Sequence, residues 1–181
     1  MTLDGTALPR FDADAFGREL CGDLRSDHAG ETGAVAIYMG MLAISRDKQL
    51  REFALTHLKT EQKHLALLDA WLPHTCRSRL LPLWHLSGWL LGATAAVGGR
   101  RFGYITVSAA ETFVIDHCEK QLPDAPEGVQ ALLRNLQQDE AHHQQDAEQR
   151  AGDSTGRTSA KLWSNIVWHG SALAVSLARI I

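Results

Sequence analysis

Four glutamates occupy positions where a helix would place core residues. Glu31 has Ala34, Val35, Tyr38, Met41 and Leu42 at +3, +4, +7, +10 and +11. Glu61 has Leu58 at −3 and Leu65, Leu68 and Leu72 at +4, +7 and +11. Glu111 has Val107 at −4 and Val114, Ile115 and Cys118 at +3, +4 and +7, while Glu140 has Leu136, Leu133 and Leu132 at −4, −7 and −8. Residues at such offsets share one helix face. Burying one unpaired carboxylate costs several kcal/mol, and four in one core would be prohibitive without something to neutralise them.

Two of the four have a histidine at +3, in Glu61-Gln-Lys-His64 and Glu140-Ala-His-His143, and i, i+3 neighbours present oxygen and nitrogen to one point. A lone Glu-x-x-His is commonly a solvated, salt-bridged face, and a lone core glutamate is commonly a satisfied carboxylate. The weight rests on all six residues in matched order. Glu31 to Glu61 is 30 residues and Glu111 to Glu140 is 29, so a two-helix unit repeats: lone Glu, turn, Glu-x-x-His. Two such units packed antiparallel give the ligand set of carboxylate-bridged di-iron or di-manganese four-helix bundles. Four ionised glutamates are offset by two divalent cations, and imidazole with carboxylate suits iron or manganese. Six side chains on two metals leave coordination positions free, as O2 activation requires.

The elements that must hold these residues read as nearly all helix. Proline is scarce, at five residues, and apolar residues recur at helical spacing. The pattern predicts a short helix over 12–24 and a second helix capped by Ser26 or Asp27 and running to 45. Further helices are expected over 47–71, 101–121 and from Gly128 to about 151. Apolar segments cover 80–99 and 161–181, and a polar link spans 152–159. The expected organisation is a tail with a short helix over 1–24, then one domain over 25–181. At 181 residues, 45% hydrophobic and 22% charged, the chain is sized for one globular domain. A net charge of −3 gives nothing to steer it to nucleic acid, and no nucleic-acid partner is expected. Three cysteines without CxxC spacing argue against a disulfide scaffold, a zinc finger or an iron–sulfur cluster.

The stretch Arg25-Ser-Asp-His-Ala-Gly-Glu-Thr-Gly-Ala34 with Ile37-Tyr-Met-Gly40 resembles the R-x-D-H-A-G-E-x-G-A…I-Y-x-G opening of the demethoxyubiquinone hydroxylases, ferritin-like di-iron monooxygenases of ubiquinone biosynthesis. The likeness continues through Glu61-Gln-Lys-His-Leu65, Leu81-Pro-Leu-Trp84, Leu91-Gly92, Val107-Ser-Ala-Ala-Glu111 with His117, and Asp139-Glu-Ala-His-His143. Met41 stands where the family usually has Gln, away from the metal positions. The resemblance implies a ferritin-like four-helix bundle holding two iron ions on Glu31, Glu61, His64, Glu111, Glu140 and His143, with Glu61 and Glu140 bridging. These six would be both metal ligands and catalytic residues, with His117 near the site and Asp27 either orienting a ligand histidine or acting as a plain helix cap. It also implies O2 as co-substrate and hydroxylation of the ring of a polyprenylated methoxy-methyl-benzoquinol. No GxGxxG is visible, so electrons are expected from an external donor, a reductase or the quinol itself. Other ubiquinone-biosynthesis proteins are the expected protein partners.

Two segments lack formal charge: 20 residues between Arg79 and Arg100, and 17 between Lys161 and Arg179. Pro82, glycines, His85, Asn165 and His169 make them poor spans, and Trp84, Trp89, Trp163 and Trp168 suit an interface. The expectation is two additional apolar, membrane-associated helices lying in one leaflet of the cell's inner membrane, on its cytoplasmic face, with a peripheral attachment. The opening residues lack a basic region followed by an apolar core, which agrees with that side. The plainer alternative is that these helices cover the bundle or form a dimer interface. His57, His74, His85 and His169 have no partner spacing and read as surface or packing residues. A ferritin-like ferroxidase or iron-handling protein would share the six residues, and a metal-stabilised scaffold without turnover is the remaining alternative.

Overall fold

The computed structural model describes residues 2–3, 6–152 and 158–181. Six helices make up the fold: α1 Ala13–Ile44, α2 Lys48–Trp71, α3 Leu81–Val97, α4 Arg100–Gln121, α5 Glu127–Ala151 and α6 Thr158–Ala178. A strand pair of two residues each, Thr2–Leu3 with Thr6–Ala7, precedes them. The architecture is an all-helical bundle. Among the described residues no helix is long and apolar enough to cross a membrane.

Local chemistry sets the starts and stops. Asp12 caps α1 by accepting from the amides of Asp14 and Ala15, and Asp47 caps α2 through those of Gln49 and Leu50. Pro73 follows the end of α2, where its missing N–H cannot continue the helix. The three residues between α1 and α2 are enough only for a tight reversal, so the two helices run back along each other.

The first helix departs from the expected pair of helices meeting near Arg25. It runs unbroken through residues 24–27, and its one irregularity is Gly17, at φ 70° and ψ 174°. Ser26 is not a cap: its hydroxyl bonds back to the carbonyl of Asp23 inside the helix. Nor is Asp27, whose carboxylate accepts from the Gln121 amide on α4. Cap-forming side chains were read as a boundary where they instead make mid-helix and cross-helix bonds. At the other end, α6 begins at Thr158 within the expected link and stops at Ala178. Most of that link, 153–157, lies outside the described residues.

A small apolar cluster of Ala29, Trp84 and Ala178 lies against α3 and α6, and two larger clusters divide α1, α2, α4 and α5 the same way. One gathers Tyr38 and Met41 of α1, Leu50 and Phe53 of α2, Tyr104 and Val107 of α4, and Ala147 of α5. The other gathers Leu20 and Leu24 of α1, Leu67 and Leu68 of α2, Cys118 of α4, and Leu132 and Leu136 of α5. The four glutamates lie between these clusters on all four helices. Apolar plugs above and below thus seal a polar belt from water.

Helix α3 is fastened to α1 through glycines. A Cβ at Gly40 would collide with the Trp89 carbonyl oxygen, one at Gly88 with that of Gly33, and one at Gly92 with that of Ile37. Backbones this close leave no room for any other residue. Helix α6 packs on α4 and α1. Trp163 donates to Thr106 at 2.8 Å near its start, and Arg179 pairs with Asp23 at 2.9 Å beyond its end.

Candidate metal centre

Each of the four glutamates is buried, and Glu61 has no exposed surface. His64 and His143 are buried beside them. Their donor atoms fall into two groups. Glu31, Glu61, His64 and Glu140 each offer one atom within 4.8 Å of the others, and so do Glu61, Glu111, Glu140 and His143. Glu61 and Glu140 belong to both groups, so two points are each surrounded by three carboxylates and one imidazole, with two carboxylates between them.

The distances give the shape of the belt. His64 Nδ1 lies 3.2 Å from Glu140, 3.6 Å from Glu31 and 3.9 Å from Glu61. His143 Nδ1 lies 2.8 Å from Glu61, 3.1 Å from Glu140 and 3.9 Å from Glu111. Both imidazoles thus turn Nδ1 inward. Asp139 fixes the outer nitrogen of His64 at 3.0 Å, which sets that ring's orientation. The Tyr38 hydroxyl donates to Glu111 at 3.2 Å.

The electrostatics of these groups show strain that cations would relieve. Burial, and then the charge of Glu140, pushes Glu61 and Glu111 well above the ordinary carboxylate range. Burial also raises Glu31. Burial acts on Glu140 in the same sense, but hydrogen bonds and charge from His143 and His64 overcome it and hold the group at about 2. For His64 burial opposes the charge, yet the carboxylates of Glu140 and Glu31 beside it carry it to about 12. Both oxygens of Glu61, Oε2 of Glu31, Oε1 of Glu140 and Nδ1 of His64 lack hydrogen-bond partners. Buried acceptors left open on three sides of common points are what a pair of hard cations would occupy.

The structure brings all six sequence-predicted residues together. It places His117 and Asp27 at the edge of the belt, 3.4 Å apart, with the His117 ring stacked on Phe113. Asp139, not Asp27, meets His64. One residue changes standing. His57, read as surface or packing, is buried, its ring centroid is 4.3 Å from that of His143, and its Nε2 lies 2.8 Å from Asp146. Burial, and then the neighbouring His143 charge, lowers it to about 4, so it stands neutral beside the belt. The available signal was spacing: His57 is one turn before Glu61 and Asp146 three residues after His143, on the same inward faces. His74, His85 and His169 are exposed as expected.

An apolar pocket leads to this belt. Its volume is about 360 Å³, and its walls come from α1, α3, α4 and α6, including Gly33, Ala34, Leu91, Val114 and Ala174. Tyr38 and Glu111 are among the few polar groups on its wall. A smaller chamber of about 40 Å³ adjoins it, bounded by Glu31, Glu61, Glu111 and Glu140. Glu111 lines both, so the pocket reaches the belt through that carboxylate.

The profile of the family described as Ubiquinone biosynthesis protein COQ7 matches residues 19–178. Curated proteins named 3-demethoxyubiquinol 3-hydroxylase are similar to this chain. The one from Bordetella avium is 33% identical over 146 residues, 77% of this chain and 67% of that protein. The one from Xanthomonas campestris pv. campestris is 34% identical over 146 residues, 76% of this chain and 65% of that protein. The one from Rhodospirillum rubrum is 35% identical over 126 residues, 66% of this chain and 59% of that protein. The chain spans about two thirds of the length of the curated relatives it matches.

Proposed function

The chain belongs to the COQ7 family of ubiquinone biosynthesis proteins, and on that premise we propose that it hydroxylates the ring of a polyprenylated methoxy-methyl-benzoquinol with O2 at a di-iron centre. One observation carries the reading: two four-donor groups sharing Glu61 and Glu140 adjoin an apolar pocket that reaches Glu111. The reaction adds one oxygen atom to a ring C–H and reduces the other to water, taking up two electrons and two protons. A ferroxidase or iron store needs the donor groups but has no use for an apolar pocket beside them.

Glu31, Glu61, His64, Glu111, Glu140 and His143 would hold the two ions, with Glu61 and Glu140 shared. Two bound iron ions supply O2 activation and electron storage. The residues around them do the rest. Asp139 holds His64 so that only Nδ1 faces inward. Tyr38 holds one oxygen of Glu111, the carboxylate nearest the substrate pocket. Ala34, Val107, Ala110 and Val114 surround that carboxylate and would exclude water from an aromatic ring placed against it. The small residues Gly33, Gly88, Gly170 and Ala174 leave width for a substituted ring and the start of its tail.

The same pocket supports a membrane-facing orientation. Helices α3 and α6 both wall it, and both expose leucine to solvent: Leu83, Leu86 and Leu90 on α3, and Leu162, Leu173 and Leu177 on α6. A peripheral protein resting on these rows at the cytoplasmic face of the inner membrane would receive a quinol head while the tail stays in lipid. Of the tryptophans expected at the interface, Trp84 is buried against Ser78, while Trp168 is half-buried and meets Phe113 edge-on.

The test is product formation in cells. A strain lacking its own hydroxylase, fed the prenylated demethoxyquinol and expressing this chain, should form the hydroxylated quinol by mass spectrometry. Glu140→Ala should abolish both product and bound metal. Product at the unsubstituted level from Glu140→Ala overturns the assignment.

A further inference from the structure

The proposed reaction consumes two protons for each O2, yet the pocket that would admit the substrate is apolar and belongs on the lipid side. A second opening reaches the same belt. A polar cleft of about 370 Å³ is lined by Glu19, Asp23, His117, Lys120, Asp124 and Arg179, with Phe16, Leu20 and Gln121 completing it. It shares no lining residue with the apolar pocket. His117 is the residue common to this cleft and to the chamber of about 40 Å³ bounded by the four glutamates. That chamber has room for about one or two waters.

We propose that His117 and Asp27 form the proton entrance to the metal belt, passing protons from the polar cleft into the glutamate-lined chamber. This rests on the hydroxylase reading and names how that site is supplied. The geometry is continuous. His117 Nε2 is 3.1 Å from the Ser26 hydroxyl and 3.4 Å from Asp27 Oδ1. The Gln121 amide donates to the same Asp27 oxygen at 2.8 Å, which fixes the carboxylate. The other oxygen, Oδ2, is buried without a hydrogen-bond partner, and Asp27 lines the chamber. The side chain of Asp27 is 7% exposed, a buried acceptor that a chamber water would satisfy.

Each transfer balances simply. A protonated water in the cleft gives its proton to the imidazole nitrogen away from Asp27. The ring releases the proton on Nε2 to Asp27, and Asp27 passes it to a water in the chamber. No bond other than O–H and N–H is made or broken, and the ring resets by changing tautomer. The charged groups around His117 are Asp27, and in the cleft Glu19 and Asp23 from α1, Lys120 from its own helix, Asp124 just beyond it, and Arg179 beyond α6. Asp23 is held by Arg179 at 2.9 Å, so Asp27 is the carboxylate free to accept. His117 and Asp27 touch no substrate in this scheme; they act by supplying protons.

The experiment uses the full chain loaded with iron and needs neither quinol nor O2. The oxidised protein is reduced anaerobically in a stopped-flow cell with a pH indicator, because lowering the charge of a buried site draws in protons. The unsubstituted protein should take up protons as it is reduced. His117→Ala and Asp27→Asn should each slow that uptake about tenfold or more, and added imidazole should restore the rate in His117→Ala. Metal content is measured first. His117→Gln, which keeps a polar contact to Ser26 but carries no transferable proton, replaces His117→Ala if the latter loses iron. Uptake at the unsubstituted rate in both His117 and Asp27 variants overturns the proposal. So does a slowed His117→Ala that imidazole leaves unchanged, which marks a structural role. Absence of quinol hydroxylation in the unsubstituted protein would refute the hydroxylase reading, and the reduction experiment would still decide the proton path.

Discussion

Removing cations from the belt should convert its carboxylates into proton holders. Glu61 and Glu111 are pushed well above the carboxylate range by burial, and His64 is carried to about 12 by the carboxylates of Glu140 and Glu31 beside it. In an unfolded chain both glutamates are ionised at pH 7 and His64 is largely neutral. The metal-free folded protein therefore holds more protons at neutral pH than the unfolded chain. For groups raised on folding, the stabilisation is complete below the unfolded value and is lost as pH climbs through the folded one. Metal-free stability should thus fall as pH rises, beginning near 4.5 for the glutamates and near 6.5 for His64. Each excess proton contributes ~1.4 kcal/mol per pH unit, with local opening reducing the slope. Glu140, held at about 2, has the opposite sign, but its effect is confined to acid. Two divalent ions should displace these protons on binding. Titrating metal-free protein with ferrous or zinc ion in weak buffer at pH 7 should release at least one proton per two ions. Melting should become nearly independent of pH once metal is bound. Release of fewer than one proton, or metal-free stability that rises with pH, would refute the cage electrostatics.

Other expectations follow from single contacts. Gly92→Leu forces a side chain against the Ile37 carbonyl; with overpacking at about 2–3 kcal/mol, melting should drop by roughly 5 °C or more in a chain of this size. Ala174→Phe should fill part of the pocket and raise KM for the quinol several-fold while metal content stays at its unsubstituted value. Leu86 and Leu173 are 53% and 63% exposed, and each leucine buried in lipid is worth about 1.5 kcal/mol or more, so Leu86→Asp with Leu173→Asp should weaken binding to anionic vesicles about hundredfold in a sedimentation assay. Tyr38→Phe removes the donor to Glu111 and should cost about 1 kcal/mol in denaturant unfolding of the metal-loaded protein.

What the sequence disclosed and what it concealed divide along one physical line. Glu31, Glu61, Glu111 and Glu140 were legible because each breaks an apolar stripe on its own helix, and a charge out of place is visible from one segment alone. His64 and His143 were legible through the i, i+3 spacing to their glutamates. Nothing on a single helix marks the contacts between helices. His57 meets Asp146 across 89 residues of chain, and His117 meets Asp27 across α1 and α4. Gly88 and Gly92 count in the sequence only against a membrane span, and Gly40 only within the I-Y-x-G resemblance, yet they set how closely α3 lies on α1. Asp27 and Ser26 misled for the same reason. Their side chains suit a helix cap, and the partners from α4, Gln121 for Asp27 and His117 for Ser26, are invisible until the chain is folded. The sites a sequence hides are thus those where a polar side chain has two uses and tertiary contact selects between them. In this fold the selection falls beside the buried carboxylates, because there an unpaired polar group is most costly and a partner from another helix is worth most.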